Sequence, residues 1–278
     1  MNRNNMLIEV AELKTKLGDP NVRIYDATIQ FYIHLSREEA AKMPSSYDQY
    51  LQGHIPDTAF FDHEAFSDSD NKYMYMVLPE AELAEKIGEI GISAENEVIF
   101  YTTGFLPCAT RAWWLLRYAG HDNVRVLNGG FSAWKEMGGE IELEPRQYAA
   151  TKYDGQFRPK MFVGKEEVMT ALKDKNIVTV NTLDLNSYQN GHITGSTNLP
   201  CGDIMQGWDA FLTNEEMAPR LAEEASHERI ITYCGGGIAA TVNAMAHLMV
   251  GNESIAVYDG SLDEWGGEKL PITTSEKI

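Results

Sequence analysis

Cysteine is scarce in this chain: Cys108, Cys201 and Cys234 are its three thiols. So sparse and odd a set, without metal-ligand spacing, excludes a disulfide framework and a cysteine-built metal site. It fits a reducing, cytoplasmic compartment in which a reactive thiol survives. Cations are few as well. Lys and Arg number 23 against 41 Asp and Glu, a net charge of −18, which disfavours nucleic acid because phosphate binding needs a basic surface. The acidic clusters, such as Glu38-Glu39 and Asp68 to Asp70, are most simply solvated surface. No run approaches the roughly 18 apolar residues of a membrane span, and Met1 to Met6 lacks the apolar core of a signal peptide. Neither a membrane nor a secretory route is expected. The 278 residues suit one large or two medium domains, and a hydrophobic content of 44% is ordinary for a globular protein.

Against this background one segment stands out, Tyr233-Cys234-Gly235-Gly236-Gly237-Ile238-Ala239-Ala240-Thr241. A cysteine ends the apolar run Ile230 to Tyr233. Three glycines follow, and an apolar stretch from Ile238 to Val250 reads as a helix that stops at Gly251. Glycines let successive amides turn toward one point, and the helix start adds a partial positive charge. A free thiol with pKa ~8.5 is only about 3% thiolate at neutral pH. Lowering that pKa by two units takes roughly 2.7 kcal/mol, and the thiolate then predominates. The loop is therefore expected to be a site of thiolate chemistry, with its amides cradling a charged sulfur or an oxyanion.

The chain also repeats itself. Gly53-His54-Ile55-Pro56 returns as Gly191-His192-Ile193-Thr194, and Val98 to Tyr101 as Ile230 to Tyr233. Gly120 to Val124 matches Gly251 to Ile255. Asn128-Gly129-Gly130 with Trp134 matches Asp259-Gly260-Ser261 with Trp265. Strands are expected at 22–25, 98–101 and 124–127, then again at 177–180, 230–233 and 255–258. Helices are expected between them, at 79–90, 107–119 and 166–173. Alternating elements imply an α/β fold, each copy a mainly parallel sheet covered by helices on both faces. Ligands bind such sheets beyond the carboxyl ends of the strands, where Cys234 falls. The stretch 138–159, rich in glycine, proline and polar residues, is the expected connection. It divides the chain into domains at 1–145 and 155–278.

In these motifs the sequence resembles the tandem-domain rhodaneses, the thiosulfate and 3-mercaptopyruvate sulfurtransferases, over nearly its whole length. The two Gly-His-Ile segments resemble the signature early in each rhodanese domain, the Gly…Trp segments the signature near its end, and Cys234 to Ala239 the six-residue active loop. The resemblance implies a double displacement. Cys234 takes a sulfane sulfur from a small donor as a persulfide, then passes it to cyanide or a thiol, including one on a thioredoxin-like protein. The amides of Gly235, Gly236, Gly237, Ile238, Ala239 and Ala240 would stabilise the sulfur anion, and no metal or organic cofactor is needed. Thr102 stands at the cysteine's place in the first copy, so that copy is expected to be catalytically silent.

The resemblance leaves the donor open. Thiosulfate-type members carry basic residues where this chain has Gly235 and Gly236. Mercaptopyruvate-type members have a loop serine at the place of Gly236, joined to a histidine and an aspartate of the first domain; those places hold Met76 and Asp62. Asp62 and Met76 are thus the first-copy positions expected at the pocket. The arginine expected after the Asn181 strand to hold a carboxylate is Leu183.

Two rival readings follow. Cysteine-dependent phosphatases need an arginine ending the loop to clamp phosphate, and Ala239-Ala240-Thr241 supplies none. A non-turnover persulfide carrier or partner-binding module stays open. His54 and His192 belong to a motif shared with the silent copy and are expected to be structural. Asp26 and Asn181 read as strand-end hydrogen-bonding residues, Trp113-Trp114 as helix packing, and Cys108 and Cys201 as buried packing.

Overall fold

A computed structural model of the chain describes residues 2–32, 36–40 and 42–274. Two five-stranded sheets share one strand order. The first runs Leu7–Ile8, Val124–Leu127, Glu97–Tyr101, Val22–Asp26, Thr58–Phe60. The second runs Phe162–Val163, Ile255–Tyr258, Arg229–Tyr233, Ile177–Asn181, Thr197–Asn198. Every neighbouring pair in both sheets is parallel. The expected strands lie within a residue or two of these limits; the short outer strands carry too few residues to show a period.

Alternation along each central strand explains how both faces are buried. In the second sheet Ile230 enters a core shared by the two halves, while Ile231 and Tyr233 face a separate cluster with Val168 and Trp265. In the first sheet Val98 and Phe100 join the shared core, and Ile99 and Tyr101 pack with Val10, Leu13 and Trp134. Helices therefore cover both faces of each sheet. The inner ones, Leu106–Tyr118 and Ala240–Met249, are buried at every residue and pack against each other between the sheets, as suits helices that are mostly apolar on every side. Pro107 takes the second helical position, after Leu106, where its missing N–H is still harmless. Trp113 donates to Val124 O of its own sheet at 2.8 Å, whereas Trp114 reaches Met161 O of the second half at 3.3 Å.

Segment 138–158 is not a loose tether. His54 pairs with Glu142, the Ile24 amide donates to the Tyr148 hydroxyl at 3.0 Å, that hydroxyl donates to Asp57 O at 2.6 Å, and Thr151 N donates to Gly88 O at 2.8 Å. It straps the first half before the chain enters the second sheet.

The duplication extends to single hydrogen bonds. Ile55 N donates to Tyr101 Oη at 3.2 Å and Ile193 N to Tyr233 Oη at 3.0 Å. His54 stacks on Tyr50 with its Nδ1 2.9 Å from Tyr50 O, and His192 stacks on Tyr188 with its Nδ1 2.8 Å from Tyr188 O. Asp26 and Asn181 each accept an amide two residues on, from Thr28 and Leu183. These histidines and strand-end residues repeat in both halves because they build the fold.

Candidate active site

Cys234 follows the central strand Arg229–Tyr233 and is only 2% exposed, yet it is not sealed in. It lines a cavity of about 590 Å³ between the halves. Ile29, Phe31, Met74, Tyr75 and Phe105 come from the first half; Leu183, Ile238 and Ala239 come from the second. Cys108 and Cys201 are buried outside the cavity lining, and burial pushes both thiols up to about 12, with the nearby Cys234 adding to the rise at Cys201. Their expected packing role agrees with that placement.

The loop after Cys234 turns its carbonyls to donors behind it. Cys234 O accepts Leu262 N at 3.1 Å, Gly235 O accepts Asp263 N at 2.9 Å, and Gly237 O accepts the Arg111 guanidinium at 3.3 Å. Ile238 O and Ala239 O accept the first amides of the helix, from Thr241 and Val242. Among the described residues, the amides of Gly235, Gly236, Ile238, Ala239 and Ala240 have no protein acceptor. Unpaired backbone donors at a helix start are suited to an anion.

Two loop amides behave otherwise. Cys234 N and Gly237 N both donate to Ser261 Oγ, at 3.1 and 3.0 Å, and that fully buried hydroxyl donates to Tyr258 O at 2.9 Å. The expected role of the Gly237 amide toward sulfur is therefore corrected: it braces the loop. Sequence reasoning gave Ser261 no part. The position corresponds to Gly130 in the first copy, and both have a left-handed backbone, φ 50° at Ser261 and 52° at Gly130. A serine where the repeat carries a glycine of that geometry was the available signal.

The three glycines are not equivalent. Gly237 has φ 75°, and a Cβ there would meet Asp259 O at 2.6 Å. A Cβ on Gly235 meets nothing within 4 Å, and one on Gly236 only Met74 O and Tyr75 at 3.9 Å. Steric need explains one glycine; the other two leave space at the cavity.

Arg111, from the first half, is a second residue that sequence reasoning missed. It is 2% exposed and pairs with buried Asp259 at 2.7 Å, while donating to Tyr75 O at 2.6 Å as well as to Gly237 O. Asp259 also accepts Val77 N at 2.6 Å, and Asp263 accepts Met74 N at 2.9 Å. Segment 74–77 is thereby fixed, with Met74 and Tyr75 as its part of the cavity wall. The expected pocket residues Asp62 and Met76 do not line this cavity. Asp62 is exposed and borders a neighbouring hollow with Ser45, Ser46 and Glu64; Met76 turns its carbonyl to Asp68 N. The wall is Met74 and Tyr75 instead, because Asp259 and Asp263 seize the backbone on either side of Tyr75.

Thr102, at the cysteine's place in the first half, is 2% exposed and absent from the lining, which Thr103, Gly104 and Phe105 join instead. Leu183 does line the cavity, so no cation stands where a carboxylate clamp was sought.

Known proteins are similar to this chain in sequence and in fold. The chain is 27% identical over 273 residues to the 3-mercaptopyruvate sulfurtransferase of Escherichia coli K12, spanning 94% of this chain and 95% of that one. It is 30% identical over 275 residues to the thiosulfate sulfurtransferase of Bos taurus, 93% and 89% of the two chains. The crystal structure of an Escherichia coli 3-mercaptopyruvate sulfotransferase superposes with a TM-score of 0.83 at 24% identity, covering 94% of this chain and 99% of the other. An anaerobic ergothioneine biosynthesis enzyme from Chlorobium limicola, in complex with trimethyl histidine, has the same fold, with TM-score 0.83 and 21% identity over 99% of this chain and 71% of that one. The rhodanese-like domain profile matches twice, at residues 9–137 and 164–268, and the chain accordingly belongs to the rhodanese-like family, with two such domains in tandem.

Proposed function

We propose that this protein, a sulfurtransferase, works through a persulfide on Cys234. The thiolate attacks the sulfane sulfur of a donor of the thiosulfate or 3-mercaptopyruvate class. A Cys234 S–S bond forms, the donor's bond to that sulfur breaks, and the electron pair leaves with sulfite or, from the thiol sulfur of 3-mercaptopyruvate, with the pyruvate enolate, which takes up the proton that the transferred sulfur gives up. An acceptor, cyanide or a thiol, then attacks the outer sulfur. Its new bond forms as the Cys234 S–S bond breaks, and the thiolate is restored without external oxidant or reductant.

One observation carries this reading: among the described residues, a single thiol lines the cavity and is followed by a loop with five unpartnered amides and every carbonyl but that of Gly236 tied back. Such amides favour charge on sulfur and cost no reorganisation when the charge moves. The second domain supplies the nucleophile. The first supplies Arg111 as a brace and Met74, Tyr75 and Phe105 as wall, with Thr102 unable to carry sulfur. A thiol of this kind suits a reducing, cytoplasmic setting.

The test is intact mass after exposure to thiosulfate or 3-mercaptopyruvate. One added sulfur on the Cys234 peptide, absent in Cys234→Ser and retained in Cys108→Ser and Cys201→Ser, is expected. Substantial transfer by Cys234→Ser would discard the mechanism. Stoichiometric loading without turnover to cyanide or any thiol would instead identify a carrier, a reading favoured by Leu183 standing where a donor clamp would be.

A further inference from the structure

We infer that the sulfur acceptor of this site is a thiol with an apolar, aromatic-sized body, and that Phe31, Phe105, Met74 and Leu183 are its specificity residues. The inference rests on the persulfide reading above and names the substrate class for it.

Three observations lead there. The cavity, at about 590 Å³, is of the size that holds organic ligands, roughly 300–1,000 Å³. Cyanide or thiosulfate, only a few atoms each, would leave most of it as water. Among the described residues, no side chain lining it is charged. A donor or acceptor recognised by its own charge would meet the loop amides and the neutral polar side chains of Gln30, Tyr75 and Thr103, but no opposite charge. Finally, an aromatic run borders the cavity: Phe31 meets Phe105 edge-on at 5.6 Å, and Phe105 meets Trp208, just outside the lining, at 5.9 Å. Phe31, Met74 and Trp208 stay 39%, 64% and 57% exposed. Large apolar groups left exposed beside a nucleophile's cavity cost free energy unless a ligand covers them. Aromatic faces and an adaptable methionine suit a flat apolar body.

The step balances within the persulfide chemistry proposed above. The acceptor thiolate attacks the outer sulfur of the Cys234 persulfide, an organic hydropersulfide leaves, and Cys234 returns as thiolate. With the acceptor's body against Phe31 and Phe105, its sulfur is held at the persulfide, so binding energy from the remote part raises the rate of transfer.

The experiment loads Cys234 with inorganic polysulfide or thiosulfate, removes the donor, and follows loss of the added sulfur by mass. Phenylmethanethiol and 2-mercaptoethanol, two alkyl thiols of similar acidity, are compared as acceptors. Phenylmethanethiol is expected to discharge the persulfide with a second-order rate constant larger by at least about tenfold. Phe31→Ala, at a partly exposed site that the fold tolerates, should reduce that ratio several-fold; Phe105→Ala gives a second reading. Equal rates for the two thiols, or a ratio unmoved by both variants, overturns the inference while leaving persulfide transfer intact. Failure of Cys234 to load with either donor overturns the underlying reading itself.

Discussion

The hydroxyls of Thr110 and Thr241, equivalent residues 131 positions apart, lie 2.7 Å from each other. The two copies thus meet each other at the same position of their inner helices. One residue further the symmetry ends. Arg111 corresponds to Val242, and its partner Asp259 to Asn128. The buried ion pair is made once, toward the loop that holds the cysteine. Arg111→Met is expected to cost about 3–5 kcal/mol in urea denaturation, because it leaves the Asp259 carboxylate buried alone. Adding Asp259→Asn should recover part of that loss. A double variant as unstable as the sum of its singles would show that the charge pairing is not what matters.

Ser261 allows hydroxyl and backbone to be tested separately. Ser261→Ala leaves Cys234 N and Gly237 N without an acceptor, at about 1–3 kcal/mol. Ser261→Gly makes the same loss but relieves the left-handed backbone, worth roughly 1 kcal/mol. The glycine variant should therefore be more stable than the alanine one. Both should load sulfur about tenfold more slowly, if the braced loop sets the rate. Mass-monitored loading and thermal unfolding read the two effects; wild-type loading in either variant would show the brace to be irrelevant to chemistry.

Asp26 carries a cost that its counterpart avoids. Burial raises its carboxyl from 3.8 to about 6, although bonds from Thr28 pull it down. Between those values the folded chain keeps a proton that the unfolded chain gives up. Stability from this group is complete below the lower value and falls as pH rises through the upper one, by about 3 kcal/mol for a shift of roughly two units. Asn181 makes the same turn without charge, though its Nδ2 has no partner among the described residues. Asp26→Asn is expected to stabilise the protein by about 1 kcal/mol at pH 8, the rest offset by an unpaired amide, and to give no gain at pH 4. Denaturation at the two pH values checks it; equal effects at both would rule out the ionisation account.

What was legible in the sequence was what a short segment shows by itself. The strand, cysteine, glycine and helix of 230–250 form a local pattern, and the same pattern twice over reveals the duplication. Contacts across the halves were not legible. Arg111 reads as one of two arginines in a mainly apolar helix, and its partners Gly237 and Asp259 lie 126 and 148 positions away. Alignment to a motif placed Asp62 and Met76 at the pocket, but the wall is set by which backbone amides Asp259 and Asp263 can reach. Ser261 was hidden for a similar reason: its value lies in a left-handed backbone that a serine does not advertise.

The loop glycines and Leu183 give the last expectation, since both concern charge missing at the cavity. Gly237→Ala should be severe, about 2 kcal/mol or more, because its Cβ would strike Asp259 O at 2.6 Å on a left-handed backbone. Gly236→Ser has room, with nearest atoms at 3.9 Å, and should change stability within about 0.5 kcal/mol. Leu183→Arg would place a guanidinium beside the cysteine, where a carboxylate can pair with both of its nitrogens. We expect the Leu183→Arg, Gly236→Ser double variant to raise kcat/KM for 3-mercaptopyruvate by about tenfold, equivalent to roughly 1.4 kcal/mol of transition-state binding. Because the arginine also takes apolar wall from the cavity, the advantage of phenylmethanethiol over 2-mercaptoethanol should shrink in the same protein. A gain in mercaptopyruvate turnover with the thiol preference intact would mean that Leu183 and the aromatic wall serve different parts of the substrate; no gain at all would mean that the missing clamp does not limit donor use.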